Sequence, residues 1–438
     1  MTRTTLLERA GAAALSIAGV HGLGAGRATA GVIPGASAYS AEVPAAWFDL
    51  ALELVKATPG FSPPVASRAF AYSGIALAEA LAPGTPGRDG FAGRVNGLTD
   101  TRPPNDGAYH WPTVANYALA TILRRLFPTA PPVQTTAIEQ LERRFGDDAR
   151  AVLPRGRYAR SVARGQEVAE HVFDWSQTDG GHEGFRNNFP PYTEPTGPGA
   201  WVRTPPSFSP ALQPYWGANR PFALSSEDLP DPGPPPTYSE TQGSAFYAEA
   251  SECYRVGRAL DAEQEAIARF WSDDPGATAT PPGHSVSILT QIVRQLDLPL
   301  GRAADAYARV GIAVADAFIA CWRTKYRYNL LRPVTYIRRV LDPGWTPLLA
   351  TPPFPEYTSG HSVQSAAAAA VLTGLFGDVA FTDRTHESRG LPARSFPYFE
   401  AAAEEAGISR LYGGIHFRSA IERGLEQGRS IGRRALAI

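Results

Sequence analysis

Cysteine is nearly missing from this chain: Cys253 and Cys321 are the only two in 438 residues. Two thiols cannot build a disulfide framework or a thiolate metal cluster. They allow one bridge, and isolated buried thiols fit equally well. An excess of either charge is missing too. Lys and Arg number 41, Asp and Glu 42, and the formal net charge is −1, so the balance gives no sign of a nucleic-acid or acidic-membrane partner. No uncharged apolar run reaches the length of a membrane span, which argues against an integral membrane protein. A Gly-rich dinucleotide fingerprint, a short-period repeat and a series of alternating strands are all absent.

Helix is what the chain does contain. Hydrophobic residues make up 44%, ample for a soluble core, and the length suits one large domain or two. From Pro44 onward, stretches such as AAWFDLALELVKAT and PPVASRAFAYSGIALAEALA place apolar residues three and four apart. Several helical stretches open on proline, which the first helical turn accepts. The expected fold class is therefore all-α, helix bundles joined by long ordered loops. Expected divisions are an N-terminal helical region over 43–240 and a C-terminal helical region over 244–438, which can pack as one unit.

Two segments break the helical text. Residues 1–30 combine basic residues, a small-residue apolar run and Ala28-Thr29-Ala30, which resembles a signal-peptidase site. A weak export signal would give a secreted or periplasmic protein. The alternative is a mobile, alanine-rich N-terminus on a cytoplasmic one. Residues 179–237 are dense in Gly, Pro, Asn and aromatics. Aromatic content of this kind argues against disorder, so an ordered covering segment with short strands is expected. Arg220, Pro221 and Phe222 within it read as core residues ahead of a channel wall.

The chemistry-bearing residues lie in three clusters between Cys321 and Ile438: CWRTKYRYNLLRPV, FPEYTSGHSVQSAA and SRLYGGIHFRSA. Lys325 offers a mobile point charge. Arg332 and Arg410 offer rigid forks that match two oxygens of an oxyanion. Ser359, Gly360 and His361 precede an alanine-rich run, so free backbone N–H groups at a helix start, a hydroxyl and an imidazole come together. Gly413-Gly414 makes a turn that aims His416 inward. Neutral imidazole can attack phosphorus or ligate a metal, and His361 suits proton transfer. The set calls for phosphate or its structural mimic vanadate.

Six residues separate Lys325 from Arg332, and five separate Arg410 from His416. With the Ser-Gly-His string between them, this order resembles the vanadium-dependent haloperoxidase and type 2 phosphatidic-acid phosphatase superfamily, nearest to the fungal-type chloroperoxidase and its bacterial relatives. The motifs cover the C-terminal third, with looser similarity from about Ser244. The resemblance implies that His416 binds vanadium, or attacks phosphate. It implies that Lys325, Arg332, Ser359, Gly360 and Arg410 hold the equatorial oxygens, and that His361 is the acid–base group. Trp322 and Phe354 resemble the aromatic pair lining a halide pocket, and Asp274 would pair with Arg410 and fix its orientation.

The implied activity is oxidation of halide by hydrogen peroxide through histidine-bound vanadate, giving hypohalous acid that halogenates a small organic acceptor. Alternatives are an acid phosphatase acting through phosphohistidine, since phosphate can occupy the same site, and a non-enzymatic oxyanion binder. A homodimer is implied by the resemblance alone, and no macromolecular partner is required. The chain departs from the pattern twice. Thr358 stands where a proline is usual, and Ala420 stands where an aspartate would hold His416. A backbone carbonyl, water or Glu422 would then have to support His416.

Overall fold

The computed structural model describes residues 34–87, 89–99 and 108–438. The Ala28-Thr29-Ala30 motif lies outside the described residues. From Pro34 to Ile438 the described residues form one compact unit. In the N-terminal half the helices are α1 (Glu42–Ala57), α2 (Pro63–Leu81), α3 (Trp111–Leu126), α4 (Pro132–Val152) and α5 (Arg155–Ser176). After a long connection come α6 (Ala245–Arg258), α7 (Ala262–Phe270), α8 (Thr280–Gln295), α9 (Leu300–Tyr328), α10 (Pro333–Val340), α11 (Gly360–Phe376), α12 (Phe399–Tyr412) and α13 (Arg418–Ala437). Among the described residues the one sheet is an antiparallel pair, β1 (Phe381–Asp383) and β2 (Arg394–Phe396), with Thr382 opposite Ser395.

Local sequence explains where these helices begin. Proline occupies the first turn of α2, α3, α4, α8 and α10, where its missing N–H costs nothing. The α7 start carries a full capping box between Asp261 and Gln264, which satisfies two otherwise free donors. Among the described residues no helix is long and apolar enough to cross a membrane.

Two close helix pairs carry the site. α9 runs through the core against α2, buried from end to end apart from a few positions. Small residues set that approach: a Cβ on Gly74 would lie 2.6 Å from the Tyr307 carbonyl oxygen, and one on Gly311 would lie 2.8 Å from Ala71 Cα. α11 packs on α13 through Gly424, Gly428 and Gly432, spaced every four residues. A Cβ on Gly428 would come within 2.1 Å of the Val363 carbonyl oxygen. Helices that touch backbone to backbone leave no slack between the groups they carry.

The 179–237 segment is ordered, as its aromatic content predicts, but it holds none of the expected short strands. Its regular pieces are single 3₁₀ turns at Gly184–Arg186 and Trp216–Ala218 and a lone bridge from Ala200 to Leu330. Proline and glycine density explains this, since a strand needs a donor at every second residue. Buried Asp316 of α9 anchors the segment by accepting the backbone N–H groups of Phe222 (2.6 Å) and Ala223 (2.8 Å). Phe222 is core, as expected.

Candidate active site

Lys325 occupies the last turn of α9, which stops at Asn329 in the left-handed conformation (φ 48°, ψ 42°). The strand-like stretch that follows is held from both sides. Leu331 N donates to Gly199 O of the covering segment (3.0 Å), and Glu356 N donates to Leu330 O (2.9 Å). Arg332 follows as the N-terminal flanking residue of α10. The spacing of six thus spans a helix end and a clamped extended link, and both cations face inward, fully buried.

α11 starts at Gly360, with Ser359 as its cap: the Ser359 hydroxyl accepts the Ser362 N–H at 3.3 Å, and Ser359 N donates to Ala420 O at 3.0 Å. Ala420 therefore contributes its carbonyl to the site's frame. α12 delivers Arg410 and closes with Gly414 N bonded to Leu411 O and Ile415 N bonded to Arg410 O. That pair of bonds is the Schellman pattern, and Gly414 supplies the positive φ of 73° that it requires. His416 thus leaves a fixed turn, not a flexible one.

His416 is almost fully buried, and its partner is Glu356. Glu356 Oε1 accepts from His416 Nδ1 (2.8 Å) and from Phe417 N (2.8 Å). Neither Glu422 nor a backbone carbonyl fills the role that Ala420 cannot. Glu422 lies on the surface beside Arg418. The sequence holds one hint, since Glu356 is the one acidic residue between Asp342 and Asp378, but nothing local ties it to His416. A carboxylate at Nδ1 puts the ring proton there and leaves Nε2 as an acceptor, which faces Arg332 Nη1. Burial first, then the charges of Arg332, Lys325 and Arg410, hold the His416 pKa well below its ordinary value. The imidazole is neutral, as a nucleophile or metal ligand must be. Burial pushes the Glu356 carboxyl up to about 8, against the opposing pull of Arg332, the Phe417 N–H and Lys325.

Arg332 is held by the Phe354 carbonyl through Nε (2.8 Å) and the Ile415 carbonyl through Nη1 (2.8 Å), and Nη1 lies 3.2 Å from His416 Nε2. Its Nη2 is buried with no partner. Arg410 is fixed by the Trp271 carbonyl (2.7 Å), the Ala268 carbonyl (3.3 Å) and the Ser409 hydroxyl (2.9 Å). Asp274 does not make the expected pair with Arg410. It is exposed and accepts from the Ser272 hydroxyl at 3.0 Å, so it acts on Arg410 only through space. Its Nη2 points at helix-end carbonyls, and the side chain also lines the site's cavity.

Lys325 also differs from expectation. Its ammonium donates to the carbonyls of Pro355 and Glu356 (3.0 Å each) and of Thr358, which uses all three donors. Burial pushes its pKa down to about 7. In this structure Lys325 stiffens the loop that carries Glu356 and Ser359, and holding an anion would require it to share a donor.

A cavity of about 290 Å³ opens onto Gly360, His361, Arg410 and His416. Trp322 and Phe354 form part of its wall, with ring centroids 4.9 Å apart. Leu212 of the covering segment lines it too and accepts the Trp322 indole N–H at 3.2 Å. His361 is half-buried, its Nε2 has no partner, and its pKa lies well below the ordinary value through burial and then Arg410. Orphaned polar groups inside a protein call for an explanation. Arg332 Nη2 and His361 Nε2, beside a neutral His416, are the donors and acceptor that a bound tetrahedral oxyanion would satisfy.

Cationic donors around a buried histidine, on closely packed helices, define a histidine-centred oxyanion enzyme. A family model described as the VCPO second helical-bundle domain matches residues 305–438. The crystal structure of the first bacterial vanadium-dependent iodoperoxidase is 38% identical, covering 91% of this chain and 96% of that one, with a TM-score of 0.83. The chain belongs to the vanadium-dependent haloperoxidase family. A holo bacterial vanadium-dependent chloroperoxidase shares the fold at 18% identity and a TM-score of 0.63, over 87% of this chain and 93% of that one. No curated protein matches the sequence.

Proposed function

We propose that this protein is a vanadium-dependent haloperoxidase that oxidises iodide in preference to bromide and chloride. One observation carries the reading: a neutral His416, held by Glu356 and faced by the Arg332 guanidinium, at the end of a cavity in a chain 38% identical to an iodoperoxidase. Bound vanadate supplies a Lewis-acidic centre at which hydrogen peroxide is activated.

The chain's own residues do the rest. His416 would hold the metal through Nε2, because Glu356 occupies Nδ1. Arg332, Arg410, the Gly360 backbone N–H and Ser359 would bind the oxygens, with Lys325 joining by releasing one carbonyl. These donors are preorganised in a site of low dielectric, where each counts for more than in water. His361 takes up or returns a proton at Nε2, its one unpartnered ring nitrogen. Trp322 and Phe354 keep water from one wall, and the proline-lined cavity admits a small organic acceptor.

The test is to load the metal-free protein with orthovanadate and measure peroxide-dependent oxidation of iodide, bromide and chloride. Phosphomonoester hydrolysis is measured in parallel without vanadate. Iodide oxidation that depends on vanadate and disappears in His416→Ala is expected. Phosphatase activity lost in His416→Ala, with no peroxidase activity on any halide, would overturn the assignment. Peroxidase activity with bromide favoured over iodide would remove the halide preference alone.

A further inference from the structure

A second cluster of ligand-type side chains lies behind the oxyanion site, where the α7–α8 link meets α8 and the β1–β2 pair. Asp273, His284, Asp383 and His386 are all buried. His284 bridges two carboxylates: Nδ1 is 2.9 Å from Asp273 Oδ2, and Nε2 is 2.7 Å from Asp383 Oδ2. The second oxygen of Asp383 is fully engaged by Thr385 N (2.9 Å) and the Thr385 hydroxyl (2.6 Å). Asp273 and His386 are not so well satisfied. Asp273 Oδ1 and His386 Nε2 stand 3.1 Å apart, an ion pair only if the imidazole is protonated, and neither atom has a hydrogen-bond partner. Ligand atoms of Asp273, His284 and His386 all lie within 4.8 Å of one another.

We propose that Asp273, His284 and His386 bind a divalent transition-metal ion of the zinc type, with Asp383 as the outer carboxylate that orients His284. Two imidazoles and a carboxylate are a ligand set that zinc accepts at bond lengths of about 2.0–2.2 Å. The two unpartnered atoms would gain the ion as their common partner. Charge points the same way. Two carboxylates are buried together here, and a divalent ion with neutral imidazoles offsets both, whereas a protonated His284 offsets one, with Arg410 acting on Asp273 from the oxyanion side. The same negative charge excludes vanadate, so the ion here is distinct from the group held at His416, although Asp273 also lines that cavity.

Asp383 is placed as outer carboxylates of metal sites are, taking the far N–H of a ligating histidine. Trp271 stacks on His284 with centroids 4.4 Å apart and closes that face. Arg389 must give way at His386 Nδ1. It is an exposed side chain with contacts of 3.4 and 3.5 Å to that nitrogen and to the Ser272 carbonyl. The ion would tie the α7–α8 link, whose Trp271 carbonyl holds Arg410, to the β1 strand.

The test uses the full chain without a histidine tag, stripped with a chelator and titrated with zinc chloride by calorimetry. Elemental analysis gives the stoichiometry. One equivalent of zinc and a raised melting temperature are expected. Asp383→Asn should weaken zinc binding about 10–100-fold. His386→Ala and Asp273→Asn should abolish it, and His416→Ala should leave it unchanged. Crystals of the wild-type protein carrying one equivalent should show zinc anomalous scattering between Asp273 and the two histidines, which assigns the site even if the variants misfold. Absence of stoichiometric zinc in the wild type would reduce the cluster to a histidine–carboxylate relay and overturn the proposal. So would zinc scattering elsewhere, or binding that survives His386→Ala.

Discussion

Glu356 is the residue on which the oxyanion site turns. It fixes the tautomer of His416 and holds Phe417 N with the same oxygen. Glu356→Ala leaves two buried donors without a partner, which costs about 1–3 kcal/mol of stability. The ligand also loses its orientation, so vanadate affinity should fall about 10–100-fold. Ala420 is fully buried on the next helix, at the position where the resemblance leads one to expect an aspartate. Ala420→Asp alone should harm the protein by burying a second carboxylate beside Glu356. Combined with Glu356→Ala it should restore at least half of the lost binding free energy. Vanadate titrations of the four proteins in a double-mutant cycle measure this, and a purely additive double variant would show that the carboxylate is not transferable. The site's cations and histidines were legible because each sits in a short spaced string. Glu356 was not, because its function depends on a chain reversal that puts residues 60 apart in contact.

At the level of elements, the stripe of glycines on α13 governs the geometry of α11. The helix starts of α2, α8, α10 and α11 could be read from proline and from Ser-Gly-His, since capping and first-turn preferences are local. The contact between α11 and α13 could not, because an alanine-rich helix gives little sense of which face meets which partner. Gly428→Ala would drive a methyl group into the Val363 carbonyl, and overpacking of this kind costs about 1–3 kcal/mol. Because α11 begins at Ser359 and His361, the shift should be felt in the site. Vanadate affinity should drop together with the denaturation midpoint. A loss of stability with unchanged affinity would show that the start of α11 is held independently of α13. The missed β1–β2 pair makes a similar point. Two strands of three residues are too short for an alternating pattern to be detected.

Across the whole molecule, the all-α class followed from the apolar spacing. Long-range joins were harder to foresee, as in the covering segment bonded to Asp316 of α9 and to Leu331 beyond it. Such joins depend on backbone groups that every residue possesses, so they leave no mark in residue type. They also seal the interior in which Lys325 lies, and that seal makes the protein a proton acceptor during anion capture. With a pKa near 7, Lys325 is largely neutral at pH 8. An arriving dianion stabilises its charged form, so binding at that pH draws a proton from solution. Below about 7 the lysine already carries the proton and the exchange fades. Glu356, Arg332 and Cys321 also face Lys325, and Glu356 can contribute to the uptake. Calorimetry of sulfate binding at pH 8, in buffers of different ionisation enthalpy, should give heats that differ by up to one proton's worth per site. Lys325→Met should remove most of that difference. Equal heats in all buffers would mean that the anion is received without proton exchange, and that its affinity does not decline as the solution turns alkaline.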